Sequence, residues 1–293
     1  MRSMLFFFIS LHNVYEHTFI HMSTKKVLFI TQEITPYVPE SELAIMGQDL
    51  PQAIQDKGKE IRTFMPKWGI INERRNQLHE VIRLSGMNLI IDDTDHPLII
   101  KVASIQAARR QVYFIDNEDY FQHRQLTADE EGNEYEDNGE RAIFYARGVL
   151  ETVKKLRWCP EVIHCQGWMS ALVPLYIKKY YSDEPSFRDA KVIFSVFDDG
   201  FKSNLSSNFK ELVYLKDINA DDLKMIDDTV NYEELCKLAV AYSDGVIQNS
   251  EKVNQNIIDF ANKNGKPVME YRAGETFYDA CEAFYDKVFG DAE

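Results

Sequence analysis

A repeated alternation of buried strand and amphipathic helix is the feature that most constrains this chain. The run 27–30 (VLFI) is apolar throughout, as expected of a strand buried on both faces of a parallel sheet. A helix is predicted over 42–56, and Gly58 is placed to end it. A second strand follows over 61–65. This β-α-β start with short connections indicates an α/β domain.

The middle of the chain departs from this alternation. Residues 78–115 show several short strand patterns without helices, which predicts a β-rich, antiparallel extension of the sheet. The acidic stretch 129–138 is predicted to be a solvated loop. A helix is then predicted over 138–156, with Asp137 and Glu140 spaced for an N-terminal capping arrangement.

The alternation returns in the last 130 or so residues and fixes the predicted fold class. Strands are predicted over 162–165, 191–197, 245–248 and 268–271, and helices over 169–181, 231–241, 250–260 (capped by Ser250) and 275–288. The chain therefore predicts one α/β domain with a mainly parallel sheet, covering residues 22–293. Ligands of such sheets bind at the carboxyl ends of the strands. The loops of interest are 31–43, 64–76, 116–124, 164–169 and 196–204.

Residues 1–21 are interpreted as an extension outside that domain. Residues 4–11 form an apolar run after Arg2, but no small-residue cleavage site follows. The run is also too short to span a membrane. Met22 shortly precedes the first predicted strand and is the expected start, although the choice between Met1 and Met22 stays open.

Charge and composition exclude several classes of function. Lys and Arg number 33 against 47 Asp and Glu, and the net charge of −14 would repel a nucleic-acid backbone. The chain contains no Gly-Gly or Gly-x-Gly, so the dinucleotide fingerprint and the P-loop are absent. Its 4 cysteines lack metal or redox spacing and are predicted to be buried thiols. They fit a reducing, cytoplasmic compartment. No cofactor, metal, nucleic acid or membrane is expected to bind.

Six short motifs occur in a fixed order between residues 25 and 255. They are Glu33-x-x-Pro36-Tyr37, Met65-Pro66-x-Trp68-Gly69, Val112-Tyr113-Phe114-Ile115-Asp116, Asp137-Asn138-x-Glu140-Arg141, Val162-Ile163-His164-x-x-x-Trp168 and Tyr242-Ser243-Asp244-Gly245-Val246-Ile247. Together they resemble the N-terminal catalytic domain of bacterial glycogen and plant starch synthases, glycosyltransferase family 5. The resemblance implies a Rossmann-like domain, equivalent to the N-terminal half of a GT-B glycosyltransferase. It also implies glucosyl transfer from ADP-glucose or UDP-glucose to an α-glucan.

Three departures from the family pattern bear on that chemistry. The family's Lys-x-Gly-Gly, which approaches the donor diphosphate, is Pro39-Glu40-Ser41-Glu42 here, so two carboxylates replace a positive charge. The second histidine and the aspartate of His-x-His-Asp-Trp are Gln166 and Gly167. The chain also stops where the family's second, donor-binding domain would begin. These departures argue against glucosyl transfer by this chain alone.

The resemblance implies seven candidate residues for binding a glucan or sugar, and each has a plainer structural alternative. They are Glu33, Tyr37, Asp137, Asn138, His164, Gln166 and Trp168. Tyr37 and Trp168 would offer aromatic faces to glucose or pack at a helix start. His164 would orient a sugar hydroxyl or be hydrogen-bonded at a buried turn.

The remaining alternatives concern amide and carboxylate side chains. Gln166 would either contact a sugar or be a surface amide, and the surface amide is the preferred interpretation. Glu33 would either contact an acceptor or cap the following turn. Asp198-Asp199 offers a metal or acid/base site, but a solvated turn before Gly200 is the preferred interpretation. No catalytic residue is assigned.

Two functions from different classes therefore remain open. One is glucosyl transfer in which a separate subunit supplies the donor domain. The other is a non-catalytic glucan-binding or regulatory module that kept the acceptor side of the cleft. A third, an unrelated small-molecule enzyme on a reused fold, is weaker. The expected partner in the first two cases is an α-glucan or oligosaccharide.

Overall fold

The fold is built on ten strands. The computed structural model describes residues 26–106 and 109–290. Its strands are β1 (Lys26–Thr31), β2 (Glu60–Pro66), β3 (His79–Glu80), β4 (Met87–Ile91), β5 (Thr94–Ile105), β6 (Arg110–Asp116), β7 (Val162–Gln166), β8 (Lys191–Val196), β9 (Gly245–Gln248) and β10 (Val268–Met269). They form one sheet in the order β10-β9-β8-β7-β1-β2-β6-β5-β3, with β4 paired to β5.

The sheet is parallel from β10 to β6 and antiparallel beyond it. Pairs within β10-β9-β8-β7-β1-β2-β6 are all parallel, whereas β5 runs antiparallel to β6, β3 and β4. This confirms the predicted α/β class with a mainly parallel sheet and an antiparallel extension.

Helices cover both faces of the sheet. They are α1 (Glu42–Asp56), α2 (Asn138–Leu156), α3 (Val173–Lys178), α4 (Phe209–Val213), α5 (Tyr232–Tyr242), α6 (Gln255–Lys263) and α7 (Thr276–Phe289), with 3₁₀ turns at Trp168–Ser170 and Ala220–Leu223 and a π-helical turn at Glu118–Gln122. Side chains alternate along β1, so Val27 and Phe29 pack with α1 and α7, while Leu28 and Ile30 join the larger core on the opposite face. The last helix, predicted over 275–288, is α7, and its buried side chains dock on the face of the sheet that holds Val27 and Phe29.

One hydroxyl links the ends of two central strands. Tyr145 of α2 is fully buried, and its hydroxyl oxygen lies 2.7 Å from the carbonyl oxygen of Thr31 and 2.9 Å from that of Phe64. A hydroxyl has one proton, so it is shared between these two acceptors. Helix α2 therefore fixes the end of β1 relative to β2 by a polar contact as well as by packing.

Several predicted boundaries are wrong for identifiable reasons. The single helix over 169–181 is a 3₁₀ turn followed by α3, because Pro174 lacks an N–H and fits only a first turn. Helix α6 is capped by Asn254 instead of Ser250, whose hydroxyl accepts from the Asp198 N–H at 3.2 Å. The strand predicted over 268–271 is only the two residues of β10.

The acidic stretch 129–138 is also not wholly solvated. The Glu134 carboxylate accepts the backbone N–H groups of Lys202 and Ser203, each at 2.8 Å. It therefore holds the loop that follows β8.

Other sequence-based expectations concern the ends of the chain and the thiols. The extension 1–21 and the start at Met22 lie outside the described residues. In the described ranges no helix has both the length and the apolar character needed to cross a bilayer. Cys165, Cys236 and Cys281 are buried as predicted, whereas Cys159 is exposed.

Candidate functional site

A row of polar side chains crosses the sheet where its central strands end. We refer to the ends of β1, β7, β8 and β9 as the carboxyl edge. Thr31 pairs with Gln166, and Gln166 with Ser195, so these side chains share one face of the sheet. Asn249, just after β9, extends the row. All four residues are buried, although an apolar core would be expected beneath two packed helices.

His164 is held in the sheet by two hydrogen bonds. Its Nδ1 lies 2.7 Å from the Tyr285 hydroxyl and its Nε2 lies 2.6 Å from Ser195 Oγ. Burial lowers the pKa of His164 to about 3, so the ring is neutral. Ser195 in turn donates to Asn249 Oδ1 at 3.4 Å. A consistent assignment has Tyr285 donating to Nδ1 and Nε2–H donating to Ser195. His164 thus matches the buried, hydrogen-bonded alternative.

Gln166 is the unusual member of the row. It is 0% exposed, and neither its Oε1 nor its Nε2 has a hydrogen-bond partner among the residues that the structure describes. Asn249 Nδ2 likewise has no hydrogen-bond partner among the residues that the structure describes. Buried amides almost always find partners, because an unpaired amide costs free energy. The prediction that Gln166 is a surface amide is wrong, and both its donor and its acceptor are unused among the described residues.

The loop between β1 and α1 lies against this row. The Gln32 N–H donates to the Gln166 carbonyl at 3.2 Å. Glu33 Oε2 accepts from Ser41 Oγ at 2.6 Å, and Ser41 Oγ accepts the Ala44 N–H at 2.9 Å. Ser41 is thus the N-cap of α1, and Glu33 supports it, as in the capping alternative for Glu33.

Negative charge surrounds the N-terminus of α1. Glu40 and Glu42 are exposed on either side of the cap, and Glu33 is half-buried beside it. A helix N-terminus attracts anions, but here three carboxylates already compensate its partial positive charge. This arrangement disfavours a diphosphate at the start of α1.

Asp199 is a site residue that the sequence analysis considered and set aside in favour of a solvated turn. Its Oδ2 accepts the Trp168 N–H at 3.0 Å and its Oδ1 accepts the Tyr232 hydroxyl at 2.8 Å. The solvated-turn interpretation holds for Asp198, which is exposed, but is wrong for Asp199. The only available signal was the position of the Asp-Asp-Gly sequence directly after a buried strand. Asp199 thereby ties the loops after β7 and β8 to α5.

Asp199 should make the stability of the folded state depend on pH. Burial raises the pKa of Asp199 to about 6 from an ordinary 3.8, the bonds from Trp168 and Tyr232 oppose this, and the nearby Glu33 charge adds to it. The folded state therefore binds this proton more tightly than the unfolded chain. The resulting stabilisation is complete below pH 3.8 and is lost as the pH rises through about 6.

We expect the Asp199→Asn variant to lack this pH dependence. Thermal unfolding followed from acid to neutral pH should show wild type losing stability relative to Asp199→Asn as the pH passes 6. Asp198→Asn, a neighbouring exposed change, should track wild type. Parallel curves for wild type and Asp199→Asn would contradict the assignment.

Asp137 and Asn138 serve the loop before α2. The predicted capping role of Asp137 is wrong: its side chain makes no cap bond, and it pairs with Arg124 at 3.2 Å. Asn138 donates to the Thr127 carbonyl at 2.8 Å and accepts from Arg141 at 2.6 Å. Both side chains thus make structural contacts within 124–141, although Asp137 Oδ1 has no hydrogen-bond partner among the described residues.

The two aromatic candidates are packed in this conformation. Tyr37 is 6% exposed and meets the Phe114 ring edge-on, with the centroids 4.9 Å apart. Trp168 is 1% exposed and meets the Phe201 ring at 4.8 Å. Their packing matches the plainer alternative for each, because neither ring presents an open face for a sugar.

Sequence and structure comparisons place this geometry among known proteins. The starch synthase catalytic domain family matches residues 26–267. A glycogen synthase of Pelodictyon phaeoclathratiforme is 38% identical over 172 residues, covering 58% of this chain and 35% of that protein. A glycogen synthase of Chlorobaculum tepidum is 33% identical over 235 residues, covering 80% of this chain and 47% of that protein.

A solved structure shares the fold. The catalytic domain of starch synthase IV from Arabidopsis thaliana, bound to ADP and acarbose, superposes with a TM-score of 0.70 at 18% identity. The match covers 86% of this chain and 52% of that one. The chain thus spans between a third and about a half of the length of the glycogen synthases cited above.

Proposed function

This chain belongs to the starch synthase catalytic domain family, and from that premise we propose that it works in α-glucan metabolism and binds an α-glucan at the carboxyl edge of its sheet. The observation that carries the proposal is the Gln166 amide, buried with neither its donor nor its acceptor used among the described residues. Sugar hydroxyls both donate and accept, so they complement an amide directly.

Glucan binding requires access to the Gln166 side chain, which is covered in this conformation. The segment 32–41 lies next to Gln166 through the bond from the Gln32 N–H. We infer that a glucan displaces part of this segment, with the half-buried Glu33 at its entrance. Loops at the carboxyl ends of parallel strands are the usual place for such movement.

The donor side of the reaction is a separate question. The carboxylates of Glu33, Glu40 and Glu42 around the start of α1 disfavour a nucleoside diphosphate there. We therefore propose glucan binding without donor binding by these residues. Cytoplasmic location and a separate donor-domain subunit stay predictions.

Glucosyl transfer is the second candidate. Its support is the match of 80% of the chain to a glycogen synthase and the ADP bound by the starch synthase IV catalytic domain. Under this proposal, other parts of the active site hold the nucleotide-sugar while the carboxyl edge positions the glucan acceptor.

One experiment separates these candidates. Calorimetric titration of the full chain uses maltoheptaose, ADP and ADP-glucose, with cellohexaose as a β-linked control. A parallel assay follows labelled glucose from ADP-glucose or UDP-glucose into glycogen. Maltoheptaose binding without ADP binding is expected. Transfer above the no-enzyme control would favour the second candidate, and failure to bind maltoheptaose would overturn the first.

Gln166→Leu should weaken glucan binding without lowering the stability of the folded chain. Loss of the amide is expected to weaken maltoheptaose binding about tenfold or more, because its hydrogen bonds to sugar hydroxyls disappear. The free energy of unfolding should stay equal or rise by about 1 kcal/mol, since a buried unpaired amide is removed. Calorimetry and urea unfolding measure the two quantities.

A matched control makes this test specific. Gln106→Leu changes an exposed glutamine just after β5, at the other end of the sheet, and should leave maltoheptaose affinity unchanged. Equal affinity of Gln166→Leu and wild type would show that Gln166 does not touch the glucan.

A further inference from the structure

A groove lies between helix α6 and strand β10, at one border of the sheet. Its volume is about 430 Å³, within the range of roughly 300–1,000 Å³ that small-ligand sites occupy. Ile258 of α6 and Val268 of β10 form its apolar part, and the other side chains that line it are polar. We refer to it as the α6–β10 groove.

The strand register directs side chains of β9 and β10 into this groove. Val268 packs against the larger core beneath α6, whereas Met269 packs with α7 on the opposite face. Val246 of β9 pairs with Val268. Because side chains alternate along a strand, Gln248 and Glu270, each two residues further on, lie on the α6 face as well. Both line the groove.

Helix α6 supplies the facing wall. Gln255, Ile258 and Asn262 are spaced by three and four residues, so they lie on one side of the helix. All three line the groove, with the apolar Ile258 buried between two exposed amides. The side chains of the helix and of the two strands therefore converge on the same space.

The α6–β10 groove is separate from the polar row of the carboxyl edge. Asn249 follows Gln248 and points to the other face of the sheet, where its Oδ1 accepts from Ser195 at 3.4 Å. Ser195 in turn contacts His164, which Tyr285 of α7 bonds. The two sites thus lie on opposite faces of the sheet.

The polar groups of the groove keep unused hydrogen-bonding capacity. Gln248 Nε2 donates to the Ser250 carbonyl and Gln255 Nε2 to Asp259 Oδ1, each at 3.1 Å. These bonds orient both amides and leave each Oε1 as a vacant acceptor in the described part of the chain. The amide of Asn262 makes no hydrogen bond with the described residues either. The groove therefore offers mainly acceptors, with the Asn262 amide as an added donor.

The charge of the groove argues against an anionic ligand. No lysine or arginine of the described residues lines it, and Glu270 contributes a carboxylate. Lys266, two residues before Val268, is directed elsewhere, because its Nζ donates to the Ala241 and Ser243 carbonyls at 2.9 and 2.7 Å. A phosphate or carboxylate would meet like charge and no cation. A neutral ligand with many O–H donors complements this wall.

We propose that the α6–β10 groove binds a neutral oligosaccharide. Sugar hydroxyls donate to vacant carbonyl and carboxylate oxygens such as those of Gln255 and Glu270, and they accept from the Asn262 amide. The half-buried Tyr271 lines the same groove and adds an aromatic surface suited to the C–H face of a sugar ring. The inference rests on the proposed function only for the choice of an α-glucan as the first ligand to test.

Hydrogen exchange of the full chain, followed by mass spectrometry with and without maltoheptaose or cellohexaose, tests the location. Either sugar is expected to slow exchange within 255–271, and the more effective sugar identifies the preferred linkage. The same measurement on Gln166→Leu separates the two sites. Protection of 255–271 in that variant supports the groove whether or not the carboxyl edge binds glucan.

Calorimetry on variants in the Gln166→Leu chain tests the contacts. Asn262→Ala and Glu270→Ala change exposed side chains, and each should weaken binding of the sugar about fivefold. Asn264→Ala is the matched control, because it removes an exposed asparagine outside the groove, two residues after Asn262. It should change the affinity less than about twofold.

Two results would overturn the proposal. One is unchanged exchange within 255–271 at saturating concentrations of both sugars. The other is equal affinity of Asn262→Ala, Glu270→Ala and Asn264→Ala, which would mean that the sugar does not contact the groove. Protection of 164–170 without protection of 255–271 would leave the carboxyl-edge proposal standing and overturn this one.

Discussion

Replacing Arg141 with alanine is expected to lower the free energy of unfolding by roughly 3–5 kcal/mol. Arg141 is 0% exposed, on the first turn of α2. Its Nη1 donates to Asn138 at 2.6 Å and its Nη2 donates to the Leu126 carbonyl at 2.8 Å. The guanidinium also lies between 5.1 and 5.4 Å from three ring centres, those of Trp68, Phe121 and Tyr135.

The large effect has two physical sources. Alanine leaves a cavity among these rings, and it leaves the Asn138 and Leu126 acceptors buried without their donor. The loop 124–135 would lose one of its bonds to α2, the one that Arg141 Nη2 donates to the Leu126 carbonyl. Urea unfolding of Arg141→Ala at neutral pH measures the loss.

Lys154→Ala is the matched control, because it removes a cation from the exposed side of the same helix. Its effect should stay within about 0.5 kcal/mol. A loss below about 1 kcal/mol in Arg141→Ala would mean that the loop repacks without Arg141.

Gly47→Ala is also expected to have a large effect and to lower the free energy of unfolding by about 3 kcal/mol. An ideal Cβ at Gly47 would stand 2.2 Å from the Glu33 carbonyl oxygen and 3.1 Å from Thr31 Oγ1. The first contact is with backbone, which cannot rotate away. Helix α1 would therefore have to move from the β1–α1 loop, and the Glu33–Ser41 bond would be disturbed.

Gly200→Ala provides the comparison for that substitution. A Cβ there would meet Tyr232 Cδ1 at 3.4 Å, an ordinary contact. Thermal unfolding should separate the two variants clearly. If Gly47→Ala unfolds within about 1 kcal/mol of wild type, α1 does not rest on the loop as tightly as described.

Local patterns were sufficient to predict most of the fold. A run such as 27–30 is buried on both sides, so its apolar character shows without knowledge of its neighbours. The bounds of α1 and α2 match the predicted ranges 42–56 and 138–156. Helix N-caps were harder to predict, because Ser250 and Asn254 are both good N-cap residues and lie a few positions apart.

The position of the candidate site could be predicted from the sequence, but the contacts between its residues could not. Strand ends locate the carboxyl edge from sequence alone. The Asp199 carboxylate is bonded by Tyr232, which lies 33 residues further along the chain. The Arg141 guanidinium packs among rings from three separate segments. Such partners are set by packing, which no local spacing reveals. Likewise, the polarity of Gln166 suggested the surface, whereas its strand places it inside.

The two-residue outer strands have a consequence for how the molecule behaves among its copies. In the described part of the chain, the sheet ends in β3 at one side and β10 at the other, each two residues long. At β3 and β10 a strand from another molecule would find a template for only a fragment of a ladder, whereas β4, which also lies on the outer side of β5, has five residues. The exposed His79 and Glu80 of β3 add polar groups to that border, and Arg147 donates to the Ile90 carbonyl of β4. The short strands β3 and β10 thereby limit edge-to-edge pairing at the two ends of the ten-stranded sheet.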